Sequence, residues 1–85
     1  MGNYIWLVET INGAVRICGT AEKALEVCET LINVECQNKL KVMSKEMAED
    51  WKDKALMELA ESFYRNPNNF CANIFCSAIM TEIEY

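Results

Sequence analysis

The chain of 85 residues contains no histidine. This absence excludes Ser-His and Cys-His nucleophile pairs, a histidine general base, and zinc sites built from cysteine and histidine. Glycine and proline are scarce, with three and one residues, and no phosphate-binding loop or dinucleotide fingerprint occurs. The sequence therefore predicts a protein that is not an enzyme and that uses no cofactor or metal.

The chain also lacks an apolar run long enough to span a membrane and the basic-then-apolar N-terminus of a signal peptide. Its five cysteines are odd in number and show no Cys-x-x-Cys spacing. Without an export signal, they are expected to be reduced and mostly buried as small hydrophobic residues. We therefore expect a cytoplasmic protein that does not bind membranes.

Basic residues are few and scattered. The chain has 8 Lys and Arg against 13 Asp and Glu, which gives a formal net charge of −5. Direct nucleic-acid binding requires clustered basic side chains, so it is not expected here. An acidic protein is instead attracted to a basic surface, including the nucleic-acid-binding groove of another protein. The length and the 52% hydrophobic content predict a single domain over residues 1–85.

The clearest local signal that is present is Asn12-Gly13, between the apolar segments 4–11 and 14–19. Asn and Gly tolerate the positive φ angles of a type I′ turn, which joins two antiparallel strands through two residues. The predicted hairpin places Glu9 opposite Arg16, a favourable pair of opposite charges.

This register divides the hairpin into two faces. The expected core face consists of Tyr4, Trp6, Val8, Thr10, Val15 and Ile17. The other face, which the Glu9–Arg16 pair marks as partly solvated, consists of Ile5, Leu7, Glu9, Ile11, Ala14, Arg16 and Cys18. Ile5, Leu7 and Ile11 supply more apolar surface than a solvated face needs. Either a helix or the tail of the chain covers them, or a partner binds there.

A first helix is predicted after the hairpin, with Thr20 as its N-cap. Its apolar stripe consists of Ala21, Ala24, Leu25, Cys28, Leu31 and Ile32. Because Glu35 falls in the middle of that stripe, the helix is expected to end near Asn33. The segment 34–43 fits an extended segment, a short strand or a continued helix.

A second helix is predicted from the N-cap Ser44 to Asn66-Pro67, where proline disfavours helical geometry in the residue before it. Its core stripe consists of Met47, Trp51, Ala55, Leu59 and Phe63.

The tail is expected to contribute the last element. A short helical turn is indicated by the spacing of Phe70, Cys71, Ile74, Phe75 and Ala78. Residues 78–84 alternate as a strand that pairs with the hairpin. A lone hairpin is marginal in water, so a third strand and a helical cover are needed. The predicted fold is α+β with the order ββααβ, a three-stranded antiparallel sheet with both helices packed on one face.

The polar side of the second helix is the predicted partner-binding surface. Its residues lie within about 80° of one another at helical spacing. We call this set the acidic face; it consists of Glu46, Asp50, Asp53, Met57, Glu61 and Tyr64. Methionine and tyrosine among carboxylates are typical of a surface where apolar groups anchor a partner and charges steer it. A solvated helix face is the simpler alternative.

The order strand, tight turn, strand, and a helix opening with Thr20-Ala-Glu-Lys-Ala-Leu-Glu26 resembles small phage-encoded proteins, including some anti-CRISPR inhibitors. The resemblance covers residues 4–30 and assigns no functional residue. It implies a stoichiometric inhibitor that binds a host defence protein, such as a CRISPR effector, in the host cytoplasm. The expected mechanism is occlusion of a basic groove by the acidic face.

The alternative function is a structural or assembly module that associates with itself as a homodimer. This hypothesis depends on Ile5, Leu7 and Ile11, and on the unpaired edges of a three-stranded sheet.

Overall fold

The computed structural model describes residues 3–73 and 75–83 and is an α+β fold with two helices and a four-stranded antiparallel sheet. The strands are β1 (Asn3–Thr10), β2 (Val15–Cys18), β3 (Asn69–Ala72) and β4 (Cys76–Ile83). Helix α1 spans Ala21–Lys39 and α2 spans Lys45–Arg65. The order across the sheet is β2-β1-β4-β3, so the first and last strands of the chain pair at its centre.

The fold class is confirmed, but the predicted three-stranded ββααβ order is wrong because β3 adds a fourth strand. The expected helical turn in the tail is instead a second hairpin, and β4 begins at Cys76 rather than Ala78. Asn73 has a φ of 53°, a left-handed conformation that asparagine tolerates, and the Phe75 N–H donates to the Ala72 carbonyl at 3.1 Å. Ile74 of the predicted turn and the predicted end of the last strand, residue 84, lie outside the described residues.

The loop between β1 and β2 contains three residues rather than the predicted two, because Ile11 joins Asn12 and Gly13. The Gly13 N–H donates to the Thr10 carbonyl at 3.0 Å, and the Thr10 N–H donates to the Ala14 carbonyl at 2.9 Å. Gly13 has a φ of 93°, which fits a type I turn followed by a left-handed residue. The Thr10 hydroxyl fixes the loop, since it donates to the Asn12 side-chain oxygen and accepts from the Ala14 N–H.

The extra loop residue shifts the strand register by one position. Val8 lies opposite Arg16, and Glu9 lies opposite Val15. The predicted Glu9–Arg16 pair is therefore wrong. Because neighbouring side chains on a strand point to opposite faces, this shift turns every side chain of β2 to the other side of the sheet.

The burial of the hairpin residues reflects this shift. Val15 and Ile17, which were predicted in the core, are exposed, and Cys18 is buried in their place. Tyr4, the second residue of β1, is also exposed. The prediction for the middle of β1 is confirmed by Val8, which is fully buried.

Both helices pack on one face of the sheet, as predicted. α1 lies over β1, β2 and β4, and α2 packs against β3 and α1.

Both predicted N-caps are confirmed. The Thr20 hydroxyl accepts a hydrogen bond from the Lys23 N–H, and the Ser44 hydroxyl accepts one from the Met47 N–H. The main core consists of Val8, Cys18, Ala24, Cys28, Ile32, Ala55, Leu59, Phe70, Ala72, Phe75, Cys76 and Ala78.

Two details of the helices differ from the prediction. α1 continues past Asn33 to Lys39, because Cys36 follows Ile32 by one turn and extends the buried stripe while Glu35 stays half-buried beside it. In α2, Met47 is exposed and its neighbour Ala48 is buried. α2 ends at Arg65, directly before Asn66-Pro67 as predicted.

Gly13→Ala is expected to destabilise the protein by about 1–2 kcal/mol, because a side chain at a φ of 93° is strained even where space is open. The matched control is Gly19→Ala, where an added Cβ also meets nothing within 4 Å and φ is not positive. Urea denaturation of both variants measures the difference. Equal stability of the two variants would contradict the assigned loop conformation.

Candidate functional site

The sheet has one face that the helices do not cover, which we call the open face. Side chains alternate between the two faces of the sheet along each strand. Val8, Phe70 and Ala78 point into the core, and their neighbours on each strand point outward. The outward side chains that define the open face are Asn3, Ile5, Leu7, Glu9, Val15, Ile17, Asn69, Cys71, Ser77, Ile79, Thr81 and Ile83.

An apolar band crosses the open face. The register places Leu7 between Ile17 of β2 and Ile79 of β4. Ile17 is 69% exposed and Ile79 is 48% exposed, while Leu7 and Ile5 are half-buried by their neighbours on the sheet. A contiguous apolar patch on a small protein is typical of a protein–protein interface.

The open face carries little charge. Glu9 is the one charged residue among its defining residues, and most acidic and basic side chains lie on the two helices. The molecule therefore has an acidic helical side and a nearly neutral apolar side. An apolar surface with little charge fits a partner whose own surface is apolar.

The residues of the predicted self-association surface lie in two places. Ile5 and Leu7 lie on the open face, as expected. Ile11 lies in the loop after β1, where its N–H donates to the Phe75 carbonyl at 2.8 Å. Sequence reasoning missed Ile17 and Val15, because the predicted register placed both of them in the core.

The predicted acidic face of α2 is solvent-exposed along its length. All six of its residues are exposed, with Tyr64 at 89% and Met57 at 62%. One of its carboxylates is already paired, since the Lys54 Nζ lies 3.0 Å from the Asp50 Oδ2. The face is separate from the open face, because α2 lies on the opposite side of the sheet.

A cavity of about 360 Å³, which we call the end cavity, lies where the β1–β2 loop, both helices and the residues before β4 meet. It is lined by Ile11, Asn12, Glu35, Lys39, Trp51, Asn73 and Phe75. The rings of Trp51 and Phe75 meet edge to face, with centroids 5.5 Å apart at 81°. The Lys39 Nζ lies 4.7 Å from the centroid of the Trp51 ring.

Four of the five cysteines are buried and Cys71 is exposed, which confirms that they are mostly core residues. A hydrogen bond with Cys76, together with burial, raises the pKa of the Cys28 thiol. Burial also raises the pKa of Cys18. Cys18 and Cys28 therefore stay protonated and are poor nucleophiles, whereas the hydrogen bond with Cys28 lowers the pKa of Cys76.

Two further properties concern the described residues only. Across 3–73 and 75–83, no three histidine, cysteine or carboxylate side chains are grouped to hold a metal ion. Neither α1 nor α2 combines the length and the apolar content that a membrane crossing requires.

Comparisons of this chain with protein-family models, with curated proteins and with solved structures found no match. Function is therefore inferred from the surfaces themselves.

Proposed function

We propose that the protein is a non-catalytic interaction module that forms a homodimer through its open face. The observation that supports this proposal most strongly is the exposed apolar band of Leu7, Ile17 and Ile79 on the side of the sheet that no described helix covers. Covering this band removes apolar surface from water, which is the main driving force for association.

A second copy of the chain is the partner that fits the open face best. The face is apolar and nearly uncharged, so two copies related by a two-fold axis present matching surfaces to each other. Such sheets pack face to face about 10 Å apart. The helical sides, which carry most of the acidic residues, then point away from each other, so the net charge of −5 on each copy opposes association only weakly.

The size of the face predicts a weak and reversible dimer. Strand spacing of about 4.8 Å and a rise of about 3.3 Å per residue give the open face roughly 400 Å² in projection. Two copies then bury roughly 800 Å² in projection, somewhat below the area of about 1,000 Å² that stable specific interfaces reach. A dissociation constant in the micromolar range is expected.

Sedimentation equilibrium across roughly 1 to 500 μM protein tests the proposal, a range chosen to bracket micromolar affinity. The expected result is a reversible monomer–dimer equilibrium. A monomer at every concentration would contradict the proposal, and so would a trimer or a larger assembly.

We propose a second candidate function, an inhibitor that binds a basic protein surface through the acidic face. The specific observation is that Met57 and Tyr64 are exposed among carboxylates and have no core role. The partner in this hypothesis is a host defence protein, such as a CRISPR effector, whose nucleic-acid groove the acidic face occludes. Such a function places the protein in the host cytoplasm.

Charge reversal tests this second function. Changing Asp50, Asp53 and Glu61 to lysine is expected to abolish co-elution with purified CRISPR effectors and inhibition of target cleavage. The matched control changes Glu22, Glu26 and Glu29 of α1 to lysine, which alters the net charge equally on another helix. Inhibition that survives reversal on α2, or that is lost equally in both variants, would rule out the acidic face.

A further inference from the structure

We propose that the end cavity binds a guanidinium group, either of a free organic cation or of an arginine side chain on another protein. Neither candidate function above assigns a role to this cavity. Three features of its lining favour a cation: the aromatic walls, a carboxylate that no described residue pairs with, and the end of a helix.

The aromatic walls provide the first feature. The face of an aromatic ring carries negative potential and attracts cations. The Lys39 Nζ lies 4.7 Å from the Trp51 ring centroid, so the ring already holds a cation from its own chain. Phe75 stands nearly perpendicular to Trp51 and closes one side of the cavity. A ligand cation that stacks on this face must therefore displace the Lys39 ammonium.

The carboxylate of Glu35 provides the second feature. Glu35 lies one helical turn before Lys39, lines the same cavity and is half-buried. No hydrogen bond or ion pair joins its carboxylate to any residue in 3–73 or 75–83. A partly buried carboxylate without a partner is stabilised when a cation binds beside it.

The end of α1 provides the third feature. Lys39 is the last residue of α1, so the cavity lies at the negative end of the helix dipole, where cations are favoured. The net charge of −5 also draws cations toward the protein.

A guanidinium fits this lining better than an ammonium. It is planar and weakly hydrated, so it can stack on Trp51, and its forked donors match the two oxygens of Glu35. The cavity of about 360 Å³ is at the small end of the usual range for ligand sites, which suits one such group and its stem.

The binding test is an NMR titration that follows the indole N–H of Trp51. The probe is L-argininamide and the matched control is L-citrullinamide, which keeps the α-amino group and nearly the same shape but has a neutral ureido group in place of the guanidinium. Saturable shifts at Trp51 are expected with argininamide, with at least about tenfold weaker binding of citrullinamide. Equal responses to both compounds, or no response to argininamide, would overturn the proposal.

Two pairs of variants identify the residues responsible. Glu35→Gln is expected to weaken argininamide binding about fivefold, while Glu29→Gln, on the exposed side of the same helix, leaves it unchanged. Lys39→Met is expected to strengthen binding about fivefold because the Trp51 face becomes free, while Lys41→Met has no such effect. Weaker binding of argininamide to Lys39→Met would overturn the proposal, because removal of a like charge from the cavity should favour a cation. Circular dichroism verifies that each variant is folded.

A peptide titration distinguishes the two sources of the guanidinium, a free organic cation and an arginine side chain of another protein. Acetyl-Gly-Arg-Gly-amide is titrated in parallel with argininamide. Affinities within about twofold indicate that the head group alone is recognised, as for a free cation. A peptide that binds at least about tenfold more tightly indicates an arginine side chain within a protein. Both results support the cation site, and failure of both probes to bind contradicts it.

Discussion

Phe70→Ala is expected to lower the free energy of unfolding by about 3–5 kcal/mol, the largest stability loss that we predict. Phe70 is 1% exposed and is the largest of the fully buried side chains. Its ring meets the ring of Phe63 edge to face, with centroids 5.0 Å apart at 84°. Because β3 packs against α2, removal of the Phe70 ring leaves a cavity between the sheet and the second helix.

Urea denaturation followed by far-UV circular dichroism measures this loss. Domains of this size have a total stability of roughly 4–13 kcal/mol, so the expected loss is a large fraction of the total and shifts the denaturation midpoint clearly. The control is Cys71→Ala, the next position on β3, where the side chain is exposed and a change within about 0.5 kcal/mol is expected. Similar denaturation midpoints for the two variants would contradict the packing of β3 against α2.

Ile17→Glu is expected to weaken homodimer formation at least about 100-fold, because it places an unpaired carboxylate in an apolar interface. Ile17 lies beside Leu7 in the apolar band, and a two-fold dimer contains the substitution twice. The fold of the monomer is expected to tolerate the change, since Ile17 is 69% exposed. Sedimentation equilibrium and urea denaturation measure the two effects separately.

Val42→Glu is the matched control for this prediction. Val42 is an exposed aliphatic residue between α1 and α2, so the substitution adds the same charge away from the open face. Its dimer affinity is expected to equal that of the unmodified protein. If Ile17→Glu dimerises normally, or if both variants lose the dimer equally, the open face is not the interface.

The features that were predicted correctly from the sequence are mostly local. The caps at Thr20 and Ser44 depend on side chains that bond backbone groups three residues away, and Asn66-Pro67 ends α2 by a steric effect on the adjacent residue. The fold class could also be predicted, because two amphipathic helices and an apolar hairpin must pack together.

The register of the first hairpin could not be predicted from Asn12-Gly13 alone. The pair fits a two-residue loop, and it equally fits the last two positions of a three-residue loop in which Gly13 is left-handed. The Thr10 hydroxyl, which bonds to both Asn12 and Ala14, favours the longer loop. A threonine directly before the turn is therefore a sequence signal for the longer loop.

The positions of the residues in the candidate sites were predicted only in part, because some of them depend on the hairpin register or on the tertiary structure. Ile5 and Leu7 could be placed on an uncovered face because β1 alternates clearly, whereas Val15 and Ile17 depended on the register. β3 was missed because four residues are too few to show a period. The end cavity joins Glu35, Trp51 and Phe75 from three separate segments, so only the tertiary structure brings them together.

A dilution series followed by methyl NMR is the most direct test of the homodimer. The sample carries labelled Ile, Leu and Val methyl groups, and spectra are recorded across the concentrations used for sedimentation. A dimer through the open face predicts concentration-dependent shifts at Leu7, Ile17 and Ile79, with constant positions for the exposed methyl groups of Val34 and Val42. Shifts at Val34 and Val42 with an unchanged open face, or no shifts at any concentration, would contradict it.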